Sequence, residues 1–295
     1  MPASRTLLTL FAASLSCSFG LGAQGVSPLR RVDMKLDGIA DSESYLVYAY
    51  RIVNAPESRG GAAVFSLDVS APRGTGFPTL PATGRFDHGA GYPGVVLAEF
   101  RDHVPVGPIS PTNWDAFLRK DATLQWYGSH GGFEGDIDSI APGDSLRGFA
   151  LRSPYLPGVR KSWAAPTFKS CCTELRPRGQ SSEPENPNPS EFKILGWTVA
   201  PMYPPRNVTL SVVRELLGLV CGDLRWVSDP SVCQDLRAKL NEAAPARQRG
   251  GHELAKSALK AFMDELEDQH GPGKPVSDNA YWMLKVNGEY LVSHM

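Results

Sequence analysis

Short stretches in which apolar and polar residues alternate dominate the first two thirds of the chain. The clearest are Tyr45 to Val53 and Ala63 to Val69, each followed by a proline. Alternation that ends at a proline is typical of β-strands with one buried face. Further predicted strands are Gly94 to Phe100, Ala122 to Tyr127, Leu146 to Arg152 and Phe192 to Val199. Because no crossover helices separate these stretches, we predict an antiparallel β-sandwich.

The apolar positions change to a helical period from Thr209 to the end of the chain. Asp229 and Ser277 have the side chains of N-cap residues, and Asn287-Gly288 is a point at which the last helix could break or kink. Four amphipathic helices can bury their apolar faces on one another, so we predict a small helical bundle. The predicted helices run from Thr209 to Cys221, from Pro230, from about His252 to His270 and from Ser277.

These patterns describe a multidomain protein, mainly β plus α, with a β-sandwich followed by a helical bundle. We assign residues 1–23 to a signal peptide, 24–200 to the sandwich, 201–207 to a Pro-rich linker and 208–295 to the bundle. Residues 180–190 combine Ser, Glu, Asn and Pro with no large apolar side chain, so they are predicted to form a disordered loop inside the sandwich.

Core and turn residues of the helical third form one pattern, which consists of Leu236 to Leu240, Ala243, Gly250-Gly251, Ala255, Leu259 to Phe262, Val276-Ser277, Tyr281 and Leu284. This pattern resembles the FIMAH-type domain, which occurs at the C-terminus of many secreted bacterial proteins. The resemblance rests on core and turn positions, and His252-Glu253 and the two cysteines of this region depart from the pattern. It implies a helical fold and an extracellular context, and it implies no catalytic residue and no ligand.

The first two dozen residues have the composition of a secretory signal. Arg5 is followed by the apolar run Leu7 to Leu15 and by small residues, with cleavage after Ala23, Gly22 or Ser18. The run is shorter than the roughly 18 apolar residues of a membrane span, and no transmembrane span is predicted elsewhere. We therefore expect a secreted or periplasmic bacterial protein, with a lipid anchor on Cys17 as the alternative.

Five cysteines become four if the leader is removed, and an even number in an exported chain suggests disulfide bonds. Cys221 and Cys233 lie near the facing ends of two predicted helices, so we favour a disulfide between them. Adjacent Cys171 and Cys172 would form a strained bond with each other. They have neither the spacing nor the nearby histidine of a metal site, so no metal is predicted.

The net charge of the chain and the placement of its glycines limit the classes of partner and cofactor that the protein could bind. The net charge of −1 provides no field that would attract nucleic acid, so no nucleic-acid partner is predicted. No glycine-rich phosphate loop opens a helix, and no cofactor is predicted.

Aromatic residues at loops and strand ends are the candidate ligand-binding residues. Trp114, Tyr127 and Trp163 could stack on a sugar or an apolar ligand. Trp126 is interpreted as core because it ends an alternating strand, whereas Trp114 and Trp163 lie near prolines and are expected to be exposed.

No catalytic constellation is defined by spacing, so the catalytic residues are not assigned and we favour a protein that is not an enzyme. The function predicted is binding of a cell-surface or extracellular glycan or another protein. The alternative is a secreted hydrolase with its site in the β domain, for which the candidate carboxylates are Glu99, Asp102, Glu134 and Asp136.

Overall fold

The computed structural model describes residues 29–42, 45–69, 107–118, 123–128, 138–166, 194–203 and 207–295. The predicted signal peptide, the predicted strand Gly94 to Phe100 and the predicted loop 180–190 lie outside these residues. The described strands are β1 (Val32–Ser42), β2 (Tyr45–Asn54), β3 (Ala62–Asp68), β4 (Gly107–Ile109), β5 (Trp114–Leu118), β6 (Thr123–Gly128), β7 (Ser145–Ser153), β8 (Leu156–Pro166) and β9 (Ile194–Tyr203). The described helices are α1 (Leu210–Cys221), α2 (Pro230–Gln248), α3 (His252–Asp268) and α4 (Asp278–Ser293).

The strands form two antiparallel sheets, and this confirms the predicted mixed β-plus-α fold. The four-stranded sheet has the order β1-β2-β7-β4, and the five-stranded sheet has the order β5-β6-β3-β8-β9. Aromatic rings from the two sheets meet between them: the ring centroids of Phe65 and Phe149 are 5.8 Å apart, and those of Tyr50 and Trp126 are 6.1 Å apart. The predicted core position of Trp126 is confirmed, since its side chain is fully buried.

Two long strands have no counterpart among the predicted ones, β1 and β8. β8 contains Pro157 and Gly158, and its buried face carries Arg160 and Ser162, so hydrophobic alternation is lost. The buried polar side chain of Arg160 has a hydrogen-bond partner on the next strand, because its Nε donates to the carbonyl oxygen of Pro201 on β9 at 3.2 Å. β9 extends to Tyr203 and so includes the first residues of the Pro-rich segment.

Three of the four described helices begin directly after a residue whose side chain caps the first turn, as predicted for Asp229 and Ser277. Thr209, Asp229 and Ser277 each accept a hydrogen bond from a backbone N–H in the first turn of the helix that follows. The predicted disulfide is confirmed: Cys221 at the end of α1 is bonded to Cys233 in the first turn of α2.

Of the two outcomes considered for Asn287-Gly288, a break is wrong, because α4 continues through both residues. Asn287 is fully buried, and its Nδ2 donates to the carbonyl oxygens of Met283 at 2.8 Å and Pro157 at 2.9 Å. Gly288 lies against the side chain of Met263, where a Cβ would approach within 3.2 Å. The two residues are therefore adapted to close packing rather than to a turn.

Helix α4 joins the helical bundle to the sandwich. Asn279 Oδ1 accepts a hydrogen bond from the backbone N–H of Leu36 on β1 at 2.8 Å, and both groups are buried. Asp278 lies 3.5 Å from Arg51 on β2 and 2.9 Å from His270. The buried polar contacts fix the orientation of α4 on the sandwich, because a shift of the helix would leave these groups without partners.

Candidate functional site

The most exposed large apolar side chains of the described strands lie on β9, on the outer face of the five-stranded sheet. Leu195 is 56% exposed and Trp197 is 44% exposed. An exposed tryptophan beside an exposed leucine is unusual for a surface that contacts only water, and it is common where a ligand binds. We call the four neighbouring residues Lys161, Trp163, Leu195 and Trp197 the β8–β9 surface.

The pairing of β8 with β9 brings these four side chains together. Lys161 is directly opposite Trp197, and Trp163 is directly opposite Leu195. Residues that face each other across antiparallel strands point to the same side of the sheet. The side chains of the surface are therefore held by a continuous ladder of backbone hydrogen bonds rather than by a loop.

The residue that follows Trp197 fixes the face to which the indole ring points. Thr198 is buried, and its Oγ1 donates to the carbonyl oxygen of Met34 at 2.7 Å. A one-residue slip of β9 would break this bond and bring the tryptophan into the sandwich. The register of β9 therefore determines that the Trp197 ring is exposed.

The positive charge of the surface comes from Lys161, whose Nζ lies 5.9 Å from the centroid of the Trp197 ring. This distance is within the range of a cation–π interaction. Arg160 points to the opposite, buried side of β8. Burial lowers the pKa of Arg160, while Asp68 acts in the opposite direction and favours the charged guanidinium.

The predicted ligand-binding residues occupy three different environments. Trp163 belongs to the β8–β9 surface and is half-buried. Tyr127 lies on β6, two strands away across β3, and is also half-buried. Burial raises the pKa of Tyr127 and the neighbouring Asp115 raises it further, so its hydroxyl stays neutral and can donate a hydrogen bond at neutral pH.

The expected exposure of Trp114 is wrong. Its side chain is only 6% exposed, and its ring centroid lies 5.3 Å from that of Phe65 and 5.1 Å from that of Phe149. Asn113 has a φ of 64°, and this turn leads directly into β5 with the tryptophan on the buried face. Trp114 is thus part of the core between the sheets, and we do not include it in the candidate site.

The two exposed apolar residues of the site, Leu195 and Trp197, were not among the predicted ligand-binding residues. The available signal was the alternation within the predicted strand Phe192 to Val199, in which both occupy the same face. That pattern alone does not distinguish the outer face of a sheet from its inner face.

The candidate hydrolase residues Glu99, Asp102, Glu134 and Asp136 lie outside the described residues. Within the described part of the chain, no three His, Cys, Asp or Glu side chains are placed to hold one metal ion. A membrane-crossing helix would need greater length and apolarity than any helix in the described ranges has.

Comparison with known families identifies the helical part. The model of the FIMAH domain matches residues 223–293, which include α2, α3 and α4. The resemblance inferred from the helical core positions is confirmed. No curated protein and no solved structure matches the chain. The matched range contains none of the strands, so the β8–β9 surface lies outside the FIMAH domain.

Proposed function

We propose that this chain is an exported protein that binds a glycan at the β8–β9 surface. The observation that carries the proposal is the exposed Trp197 ring beside exposed Leu195 on a rigid sheet. Export is supported by the composition of the first two dozen residues and by the Cys221–Cys233 disulfide, since such bonds persist in oxidising compartments.

A glycan suits the shape and chemistry of this surface. The outer face of a sheet is broad and open, and an indole ring offers a flat apolar area with a polar edge. The apolar face of a sugar ring can stack on such an indole, while its hydroxyl groups bond to nearby polar side chains. Lys161 supplies an amino group with three hydrogen-bond donors next to the ring of Trp197.

Preorganisation supports binding at this position. The backbone of the surface is held by the β8–β9 pairing, and Thr198 locks the register from the buried side. A ligand therefore binds without ordering a loop first, which lowers the entropic cost of association.

Binding of the intact chain to a panel of insoluble and soluble polysaccharides tests the proposal. Trp197→Ala is expected to weaken binding at least tenfold, because aromatic residues at the centre of binding sites often contribute more than about 1.4 kcal/mol. Leu195→Ala is compared with Leu219→Ala, a matched control at an exposed leucine of α1.

Three results decide the outcome. Loss of binding in Trp197→Ala and Leu195→Ala, with Leu219→Ala unchanged, supports the proposal. Wild-type affinity in Trp197→Ala contradicts it. Failure of the wild-type chain to bind any polysaccharide, together with capture of a purified surface protein through the same surface, would identify a protein as the ligand and reject the glycan.

A further inference from the structure

We propose that the glycan bound at the β8–β9 surface contains sugars with carboxylate groups, and that Lys161 is the residue that selects them. This inference rests on the proposed function. The selection of acidic sugars depends on the position of the Lys161 ammonium group relative to the Trp197 ring, so this inference can fail while the proposed function stands.

The ammonium group of Lys161 and a stacked sugar compete for the same ring. Nζ of Lys161 lies 5.9 Å from the centroid of Trp197, close enough for attraction to the electron-rich face of the indole. A neutral sugar that stacks on this face displaces the ammonium group and offers it hydroxyl groups but no opposite charge. A sugar with a carboxylate can occupy the ring and pair with the displaced ammonium group.

Among the residues that the structure describes, the other charges near the surface do not replace Lys161 in this role. Arg160 is buried on the opposite face of β8, where its Nε bonds to the carbonyl oxygen of Pro201. Asp68 follows Leu67, which pairs with Ser162 on β8; it favours the charged form of Arg160 and, as an anion, cannot pair with a carboxylate ligand. Asp115 lies beside Tyr127 on the far side of β3. Within the β8–β9 surface, Lys161 is therefore the charged group that can form an ion pair with an acidic ligand.

The exposure of Lys161 makes this selection moderate. An exposed ion pair in water is weak and is screened by salt, whereas loss of the stacking platform removes the main contact. We therefore expect Lys161 to change the preference between acidic and neutral sugars and Trp197 to determine whether either is bound.

Matched pairs of polysaccharides provide the test. Polygalacturonate and hyaluronan are each compared with their carboxyl-reduced forms, which keep the backbone and lose the charge. The wild-type chain is expected to bind the acidic member of a pair more tightly, and the difference should shrink as NaCl rises from about 0.05 M to about 0.5 M. Lys161→Gln should weaken binding of the acidic member about fivefold and leave the reduced member unchanged or slightly tighter.

Two further variants separate the possible outcomes. Lys161→Arg keeps the charge and should retain the preference for the acidic member. Equal binding of both members by the wild-type chain, or identical binding by wild type and Lys161→Gln, would overturn this inference while loss of binding in Trp197→Ala still supports the proposed function. Wild-type affinity in Trp197→Ala would overturn both.

Discussion

Replacing Asn279 with alanine removes a buried link between the last helix and the sandwich. Oδ1 of Asn279 in the first turn of α4 accepts from the backbone N–H of Leu36 at 2.8 Å. β1 changes register between Leu36 and Gly38, so this side chain lies where the strand ladder is irregular. Alanine at this position leaves a buried N–H group without an acceptor.

The expected loss follows from two opposing contributions. An unsatisfied buried donor costs about 1–3 kcal/mol. Alanine has a higher helix propensity than asparagine, and this difference stabilises the folded variant by about 0.5 kcal/mol. We therefore expect the free energy of unfolding to fall by about 1.5 kcal/mol, and Tm to fall by about 3–6 °C.

Urea denaturation followed by far-UV circular dichroism and by tryptophan fluorescence measures this change. The dichroism reports mainly on the helices and the fluorescence on both parts, so a helix that is coupled to the sandwich predicts equal shifts with both probes. Asn241→Ala on the exposed side of α2 is the matched control. The reasoning is refuted if Asn279→Ala is as stable as the control, or if the helical signal alone shifts.

Three further predictions concern the disulfide, a helix cap and the core. Serine at both Cys221 and Cys233 should lower the free energy of unfolding by about 3 kcal/mol, measured by urea denaturation, because the bond closes a loop with a sequence separation of 12. Hydrogen bonds from Ser231 lower the pKa of Asp229, so the stabilisation by its carboxylate is present at neutral pH and is lost as the pH falls through this lowered pKa. The difference in Tm between wild type and Asp229→Ala should therefore shrink on acidification, and a constant difference would contradict the role of the charge. Trp114→Ala should cost about 3–5 kcal/mol of stability, and a cost below about 1 kcal/mol in the same denaturation assay would contradict its core position.

Two helix starts were predictable because they carry local signals. Asp229 and Ser277 are N-caps whose side chains bond within the first turn, so each signal and its structural consequence lie within a few residues. The continuation of α4 through Asn287-Gly288 was not predictable in this way. It depends on contacts with Pro157 and Met263, which are distant in the sequence.

The strands were predictable where one face is apolar and the other is not. β8 lacks this pattern because Arg160 lies on its buried face, and the compensating partner of Arg160 is on a neighbouring strand. The same reason limited prediction of the candidate site. A tryptophan in an alternating strand can point into the core, as Trp126 does, or outward, as Trp197 does, and only the packing of the two sheets decides between these positions.

The side-chain indole resonances in a ¹H–¹⁵N NMR spectrum provide the most direct test of binding at the β8–β9 surface. The chain has six tryptophans, and each signal is assigned by the loss of one peak in a Trp→Phe variant. Titration with fragments of the polysaccharide that binds best should shift the Trp197 signal most. The Trp126 signal should stay in place, since its Nε1 donates to the carbonyl oxygen of Ile109 inside the sandwich. An unchanged Trp197 signal at saturation would contradict binding at this surface.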